Sequence, residues 1–390
     1  MDQTGRVPGV AVVGTGRAPY TRSLTAARSP LSLGAEAVRA AIADAGLEPR
    51  DIDGLASYSM NDSATFGQVA YAVGIDELVW NLDVYAGGTG SYTSVHAAAM
   101  ALQTGACSNA VVFRSLCGRS GLRYSQGSGM ATLLSHPDQE FDFASGYAIP
   151  PQWFAMWARR HQHEYGTTSE DLGALAITLR SHAARNPFAV MRDELTLEQY
   201  LAGRMVSDPL RIYDCSLEVD GACALVLTTA ERAADLPHRP VILKGGEFTW
   251  NSGGSWNNWP DFTQMYTAKV AGRFWNRFGL RPADIDVACI YDCFTYTLLV
   301  SLEGLGFYKP GEGGDYFRDG RATYGGDVVV NPHGGLLSEG YIHGFNHHVE
   351  AVEQLRGTAG DRQVEDARTA VVTAGGGPYG GALLYEVGGR

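Results

Sequence analysis

The 390-residue chain does not open with a basic segment followed by an apolar one; it starts Met1-Asp2-Gln3-Thr4-Gly5. Nor does any uninterrupted apolar run approach the roughly 18 residues a membrane span needs. Together these absences predict a cytoplasmic protein. Six cysteines (Cys107, Cys117, Cys215, Cys223, Cys289, Cys293) fall in no CxxC or other metal spacing, so they read as buried thiols and not as a disulfide framework or a structural zinc. At a formal net charge of −12 there is no basic stripe of the kind that displaces counterions from an extended nucleic acid. No Gly-x-Ser-x-Gly, HExxH or P-loop occurs. The run Val12-Val13-Gly14-Thr15-Gly16-Arg17 lacks a third glycine, and Arg17-Ala18-Pro19 stands where a dinucleotide-binding helix would begin. A small anion remains possible. Its densest supply of cations is Arg159, Arg160, His161, His163, Arg180, His182, Arg185 and Arg192, residues that fit a solvated helix face equally well.

At 45% hydrophobic and 18% charged, the chain can bury a substantial core in two or three units. Gly46-Leu47-Glu48-Pro49-Arg50-Asp51-Ile52-Asp53 recurs as Gly279-Leu280-Arg281-Pro282-Ala283-Asp284-Ile285-Asp286. In each copy a helical segment precedes (33–45; 266–278) and a strand-like run follows (54–58; 287–291). Glycine ends the helix and proline blocks its continuation, so two related α/β halves are implied. Residues 117–211, richer in Gly, Ser, His and Arg, read as an insertion over a cleft. The expected units are 1–116 with 212–235, 117–211, and 236–390.

Near the C-terminus a strand, 328–330, delivers the turn Asn331-Pro332-His333-Gly334-Gly335, followed by Ser338-Glu339-Gly340-Tyr341-Ile342-His343-Gly344. A glycine-rich turn opening a helix aims backbone N–H groups and one side chain, Tyr341, into a cleft. Three more segments matter: Ala86-Gly87-Gly88-Thr89-Gly90-Ser91 before a small-residue helix, Asp220-Gly221-Ala222 after Asp214-Cys215-Ser216, and Tyr291-Asp292-Cys293-Phe294. With Thr373-Ala374-Gly375-Gly376-Gly377, these blocks resemble the motifs of the thiolase superfamily, in particular its sterol-carrier-protein-X-like branch. The resemblance implies a thiolase fold: two duplicated βαβαβαββ halves in a layered αβαβα arrangement with an inserted loop domain.

The departures redirect the chemistry. Gly87 and Thr373 occupy the positions of the two thiolase cysteines, and neither can serve as nucleophile or thiol base. No thiol is expected beside the glycine-lined pocket. Tyr291 and Tyr341 replace its polar groups, and two phenols on one cleft suit a reaction that removes one proton and delivers another. This pattern is similar to that of the actinobacterial steroid side-chain-cleaving aldolases of the lipid-transfer-protein type. That resemblance implies retro-aldol cleavage of a 17-hydroxy steroid β-hydroxyacyl-CoA to a 17-ketosteroid and propionyl-CoA, in sterol or bile acid catabolism. Tyr291 is the expected base and Tyr341 the expected acid, with His343 or Asp292 supporting them and the N–H groups of Gly87 and Gly375 holding the thioester oxygen. No permanently bound cofactor is expected, and coenzyme A belongs to the substrate. The implied assembly is a homodimer formed through the first half and flanked by a small OB-fold, zinc-ribbon protein derived from a hydratase, with zinc only in that partner. Phe248, Trp250, Trp256, Trp259, Phe262 and Tyr266 are candidates for the cleft wall or the partner face. The rival readings are an acyl-CoA acyltransferase with a relocated nucleophile and a non-catalytic acyl-CoA-binding scaffold.

Overall fold

The repeated octapeptide does the same structural work twice. Gly46 and Gly279 sit in left-handed conformation at φ +70° and +66°, just past an outer helix. Pro49 and Pro282 each open a single 3-10 turn, closed by an aspartate that accepts the N–H three residues back, Asp51 from Glu48 and Asp284 from Arg281, both at 2.8 Å. The last aspartate of each copy then pins the start of a neighbouring strand. Asp53 accepts from the N–H groups of Ser108 and Asn109, and Asp286 from those of Arg368 and Thr369.

The structure is a computed structural model that describes residues 9–25, 27–121, 123, 142, 144–147, 149–251 and 259–389. Its main strands are β1 (Val10–Thr21), β2 (Gly54–Ser59), β3 (Trp80–Tyr85), β4 (Asn109–Cys117), β5 (Met205–Ser207), β6 (Leu210–Arg211), β7 (Asp220–Thr229), β8 (Val241–Thr249), β9 (Val287–Cys289), β10 (Val329–Val330), β11 (Thr369–Gly376) and β12 (Tyr379–Val387). The longer helices are α1 (Pro30–Asp44), α2 (Gly90–Thr104), α3 (Pro150–Tyr165), α4 (Ser169–Ala184), α5 (Tyr266–Phe278), α6 (Thr295–Leu305) and α7 (Phe345–Arg356). Ten strands run β10-β9-β11-β12-β8-β1-β7-β4-β2-β3, with β5 and β6 forming a separate hairpin. Outward from the centre, β1-β7-β4-β2-β3 and β8-β12-β11-β9-β10 repeat one order and one pattern of parallel and antiparallel pairs. Val10 to Val12 pair with Val241 to Leu243 to join them.

Helices α2 and α7 pack against strands of both halves and form the middle layer. Their Val95, Ala98, Phe345, Val349 and Val352 share one core with Ala56, Val112, Cys289 and Val372. Helix α1 covers the outer face of the first half, and α5 and α6 cover that of the second, which is the expected αβαβα layering of an α/β fold. The glycines of the Val12–Arg17 run lie inside β1, where a Cβ would stand 2.2 Å from Ala41 O at Gly14 and 2.1 Å from Ala37 O at Gly16. They permit close packing of α1 on the strand. Among the described residues no helix is long and apolar enough to cross a membrane.

Candidate active site

The loop after β10 is built around Asn331, held in left-handed conformation at φ +46°. Its side chain accepts from the N–H of Ile290 at 2.7 Å and donates to Ile290 O at 2.9 Å, tying the loop to the segment that follows β9. Asp292 is fully buried. Its carboxylate accepts the N–H groups of Leu336 and Leu337 at the start of a helical turn, and a Cβ on Gly335 would stand only 2.0 Å from it. Thr373, at the second cysteine position, accepts the N–H of Tyr291 at 2.8 Å. On the other side the N–H of Tyr341 donates to Leu217 O at 2.9 Å. These anchors bring the Tyr291 and Tyr341 hydroxyls to 3.0 Å.

Two glycines make room for that pair. A Cβ on Gly88 would fall 2.3 Å from the Tyr291 hydroxyl, and one on Gly344 2.7 Å from its ring. Gly87 and Gly88 belong to the turn before α2, and the N–H groups of Gly87, Gly88 and Thr89 donate to no described residue. They face the cleft at a helix N-terminus, where developing negative charge is stabilised. Gly375, at φ +110°, lines the same cleft, and a Cβ there would meet Tyr379 O at 2.6 Å. The cavity holds about 440 Å³ and also takes in Tyr291, Tyr341 and His343. A second hollow, of about 560 Å³ between Arg160, Glu164, Trp259 and Asp261, brings together no comparable pair.

Burial pushes both phenols well above the usual range. Their shared hydrogen bond raises Tyr291 further and lowers Tyr341, and either hydroxyl can be its donor. His343 is adjacent, its ring edge-on to Tyr341 at 4.8 Å between centroids. Burial, then the Arg114 charge, pushes its pKa down to about 3, so the ring is neutral.

One expectation needs correction, and two open readings are narrowed. Two thiols do line the cleft, those of Cys293 and Cys215, because Cys293 follows Tyr291 by two residues into the same wall. Burial pushes both thiols up, away from the thiolate that attack requires. Cys293 is paired with Thr297 at 3.7 Å, and Cys215 donates to Arg211 O. Among the described residues, Phe248, Trp250, Trp259, Phe262 and Tyr266 do not line the cleft; Trp153, Phe154, Tyr213 and Tyr379 do. Trp259 and Phe262 stack instead on the buried Trp157, while Trp250 stacks on Tyr379; Trp256 lies outside the described residues. Of the proposed cation cluster only Arg180 reaches the cleft. His161 is buried against Glu303 and Thr167, His182 against Val330 O and Thr323, and Arg159 and Arg160 pair with Asp208 and Glu164. Arg180 is joined at the cleft by Arg22, Arg123 and Arg204, brought together from distant segments without a local sequence signal. Asp62 and Arg114, which hold His343, carry no such signal either. Among the described residues no group of three His, Cys, Asp or Glu is placed to hold a metal.

Comparison with known proteins agrees with this fold. Residues 248–384 match the family described as thiolase C-terminal domain-like. The steroid side-chain-cleaving aldolase of Thermomonospora curvata is 40% identical over 97% of this chain and 98% of its own. The chain belongs to the steroid side-chain-cleaving aldolases of the thiolase superfamily. The 17-hydroxy-3-oxo-4-pregnene-20-carboxyl-CoA lyase of Mycobacterium tuberculosis is 39% identical over 96% of this chain and 98% of its own. The solved structure of an Ltp2-ChsH2(DUF35) aldolase superposes with a TM-score of 0.89 at 38% identity, covering 98% of both chains.

Proposed function

We propose that this aldolase cleaves the side chain of a 17-hydroxy steroid acyl-CoA by a retro-aldol reaction, releasing a 17-ketosteroid and propionyl-CoA. The observation that carries the reading is the pair of hydroxyls 3.0 Å apart beside Gly87 and Gly375. Two neutral, hydrogen-bonded phenols can pass a proton without either becoming a free phenolate. Tyr291 accepts the proton of the tertiary alcohol as its own proton crosses to Tyr341, and Tyr341 delivers one to the α-carbon. The carbon–carbon bond breaks in concert with these transfers, so that Tyr341 gives up its own proton to the α-carbon as it receives one from Tyr291; the charge that develops toward the thioester oxygen meanwhile is held by the N–H groups of Gly87 and Gly375. The names of the two relatives support the substrate class.

Arg22, Arg123 and Arg204 suit the phosphates of coenzyme A. Arg22 is drawn below the usual guanidinium range by burial and by the neighbouring Arg119 charge, a repulsion that a bound phosphate relieves. Trp153, Phe154, Arg180, Met191 and Arg204, from the segment between the halves, line the cleft, which supports an insertion over it, and no permanently bound cofactor is required. The unpaired outer edge of β3, with Tyr85 and Met100 exposed nearby, suits a homodimer. A small OB-fold, zinc-ribbon protein at the periphery of that dimer is supported by the similar solved aldolase, whose name joins Ltp2 to ChsH2(DUF35). The site of action is the cytoplasm. The test is co-expression with that partner and assay of a 17-hydroxy steroid acyl-CoA; ketone released in step with propionyl-CoA is expected, and binding without release contradicts the reading.

The cleft thiols favour one second reading, an acyltransferase using Cys293 or Cys215. Cys293→Ala and Cys215→Ala keep their steroid cleavage under the proposal and lose it under the alternative.

A further inference from the structure

We infer that His343 donates its Nε2–H to the thioester oxygen as charge develops there, with Asp62 and Arg114 as positioning residues that keep the proton on that nitrogen. This rests on the retro-aldol reading above and adds a donor to it.

Behind the cleft, three buried side chains are hydrogen-bonded in series. The Arg114 guanidinium is fully buried and donates to Asp62 at 2.6 Å and to His343 Nδ1 at 2.9 Å. Arginine has only donors, so Nδ1 must be the acceptor, and the proton of the neutral ring stands on Nε2. Asp62 is itself fixed, accepting the N–H of Met60 at 2.9 Å. The backbone of His343 is clamped as well. It holds the left-handed conformation at φ +52°, uncommon for a residue with a side chain, and its carbonyl accepts from the Tyr58 hydroxyl at 2.9 Å. Ring and main chain are therefore both held from behind.

The opposite edge of the ring looks toward the reaction volume. A Cβ built on Gly87 would lie 3.9 Å from Nε2, so the imidazole stands beside the backbone whose N–H is proposed to hold the thioester oxygen, and His343 lines the same cleft as the two phenols. As the carbon–carbon bond breaks, its electron pair becomes the enolate of the thioester and negative charge gathers on that oxygen. A neutral N–H at this point stabilises the charge without giving up its proton. The electrons end in the new carbon–hydrogen bond when Tyr341 protonates the α-carbon, and His343 leaves the cycle unchanged.

The test uses the complex with its partner and two assays, ketone release from a 17-hydroxy steroid acyl-CoA and deuterium uptake from D2O at the α-carbon of propionyl-CoA. His343→Leu is expected to lose about 100-fold in kcat in both assays, with KM little changed. His343→Gln, whose amide N–H can reach the same region, should recover about tenfold of that loss, and neither variant should alter the shape of the kcat–pH profile. Asp62→Asn should slow exchange by about tenfold with KM unchanged, and it decides the matter if the His343 variants do not fold. Exchange at the wild-type rate in His343→Leu or Asp62→Asn overturns the inference, as does a folded His343→Gln no faster than His343→Leu. A wild-type complex that exchanges but does not cleave the steroid sinks the substrate reading and leaves the role of His343 to the exchange data. One that does neither overturns both.

Discussion

Corresponding loops in the two halves have been put to opposite uses. In the first half β3 reaches the middle-layer helix α2 through four residues, Ala86 to Thr89. In the second, β10 reaches its counterpart α7 through fourteen, Asn331 to Gly344. The short loop leaves bare backbone N–H groups at a helix start, and the long one carries Tyr341 and His343 over them. With the strand order conserved between halves, the asymmetry of the site comes from the loops. On the proposed reading the first half contributes the backbone N–H of Gly87 to charge stabilisation, alongside that of Gly375 from the second. The second half, with Tyr291 next to β9, carries both phenols proposed to move protons.

The largest expected effect tests the long-loop side. Tyr341→Phe or Tyr291→Phe should lower kcat for steroid cleavage by about 1,000-fold, and the double variant should be no slower than the worse single one, since the two hydroxyls act as one relay. Turnover near wild type in either removes that residue from the mechanism. On the short-loop side, Gly88→Ala should cost about 100-fold, because its Cβ would occupy the position of the Tyr291 hydroxyl. Gly87→Ala meets the flexible Met60 sulfur at 3.2 Å and His343 Nε2 at an ordinary 3.9 Å and should cost less than about tenfold; a reversed order would show that the bare backbone matters more than the placement of Tyr291. Arg22→Ala or Arg123→Ala should raise KM for the acyl-CoA by about tenfold and leave kcat alone, an effect that fades at high salt. The smallest effect is on stability. His343, His348 and His182 have folded pKa values lowered to about 3, 3 and 4 by burial. The unfolded chain, with histidines near 6.5, binds more protons below that pH, so stability is held above about pH 6.5 and is lost as pH falls toward 4. The loop and helix of the second half carry two of these histidines, so amide exchange at pH 5 should quicken in β9–β12 more than in β2 and β4; equal change in both halves contradicts this.

The duplication was legible because Gly46–Asp53 and Gly279–Asp286 are each read locally: a glycine that leaves the helix, a proline that starts a turn, an aspartate that caps the next strand. The phenols were legible because they stand in short motifs whose neighbours, Asn331 and Gly344, shape the backbone by their own conformations. Arg114 was not. It sits mid-strand in β4, where arginine usually signals solvent, and its burial makes sense only once Asp62 and His343 arrive from two other segments. Cys293 escaped for another reason. It stands at neither thiolase cysteine position, and only the path of the chain beyond Tyr291 turns its side chain into the cleft wall. The aromatic run at 248–266 carried no such spacing, and most of its described members pack away from the cleft.

The most direct test of the account is the intact mass of the protein during turnover of a 17-hydroxy steroid acyl-CoA, quenched in the steady state. Proton relay through Tyr291 and Tyr341 predicts an unmodified chain while 17-ketosteroid and propionyl-CoA accumulate in equal amounts. An acyl adduct that forms and decays at the turnover rate, mapped to Cys293 or Cys215, would contradict it.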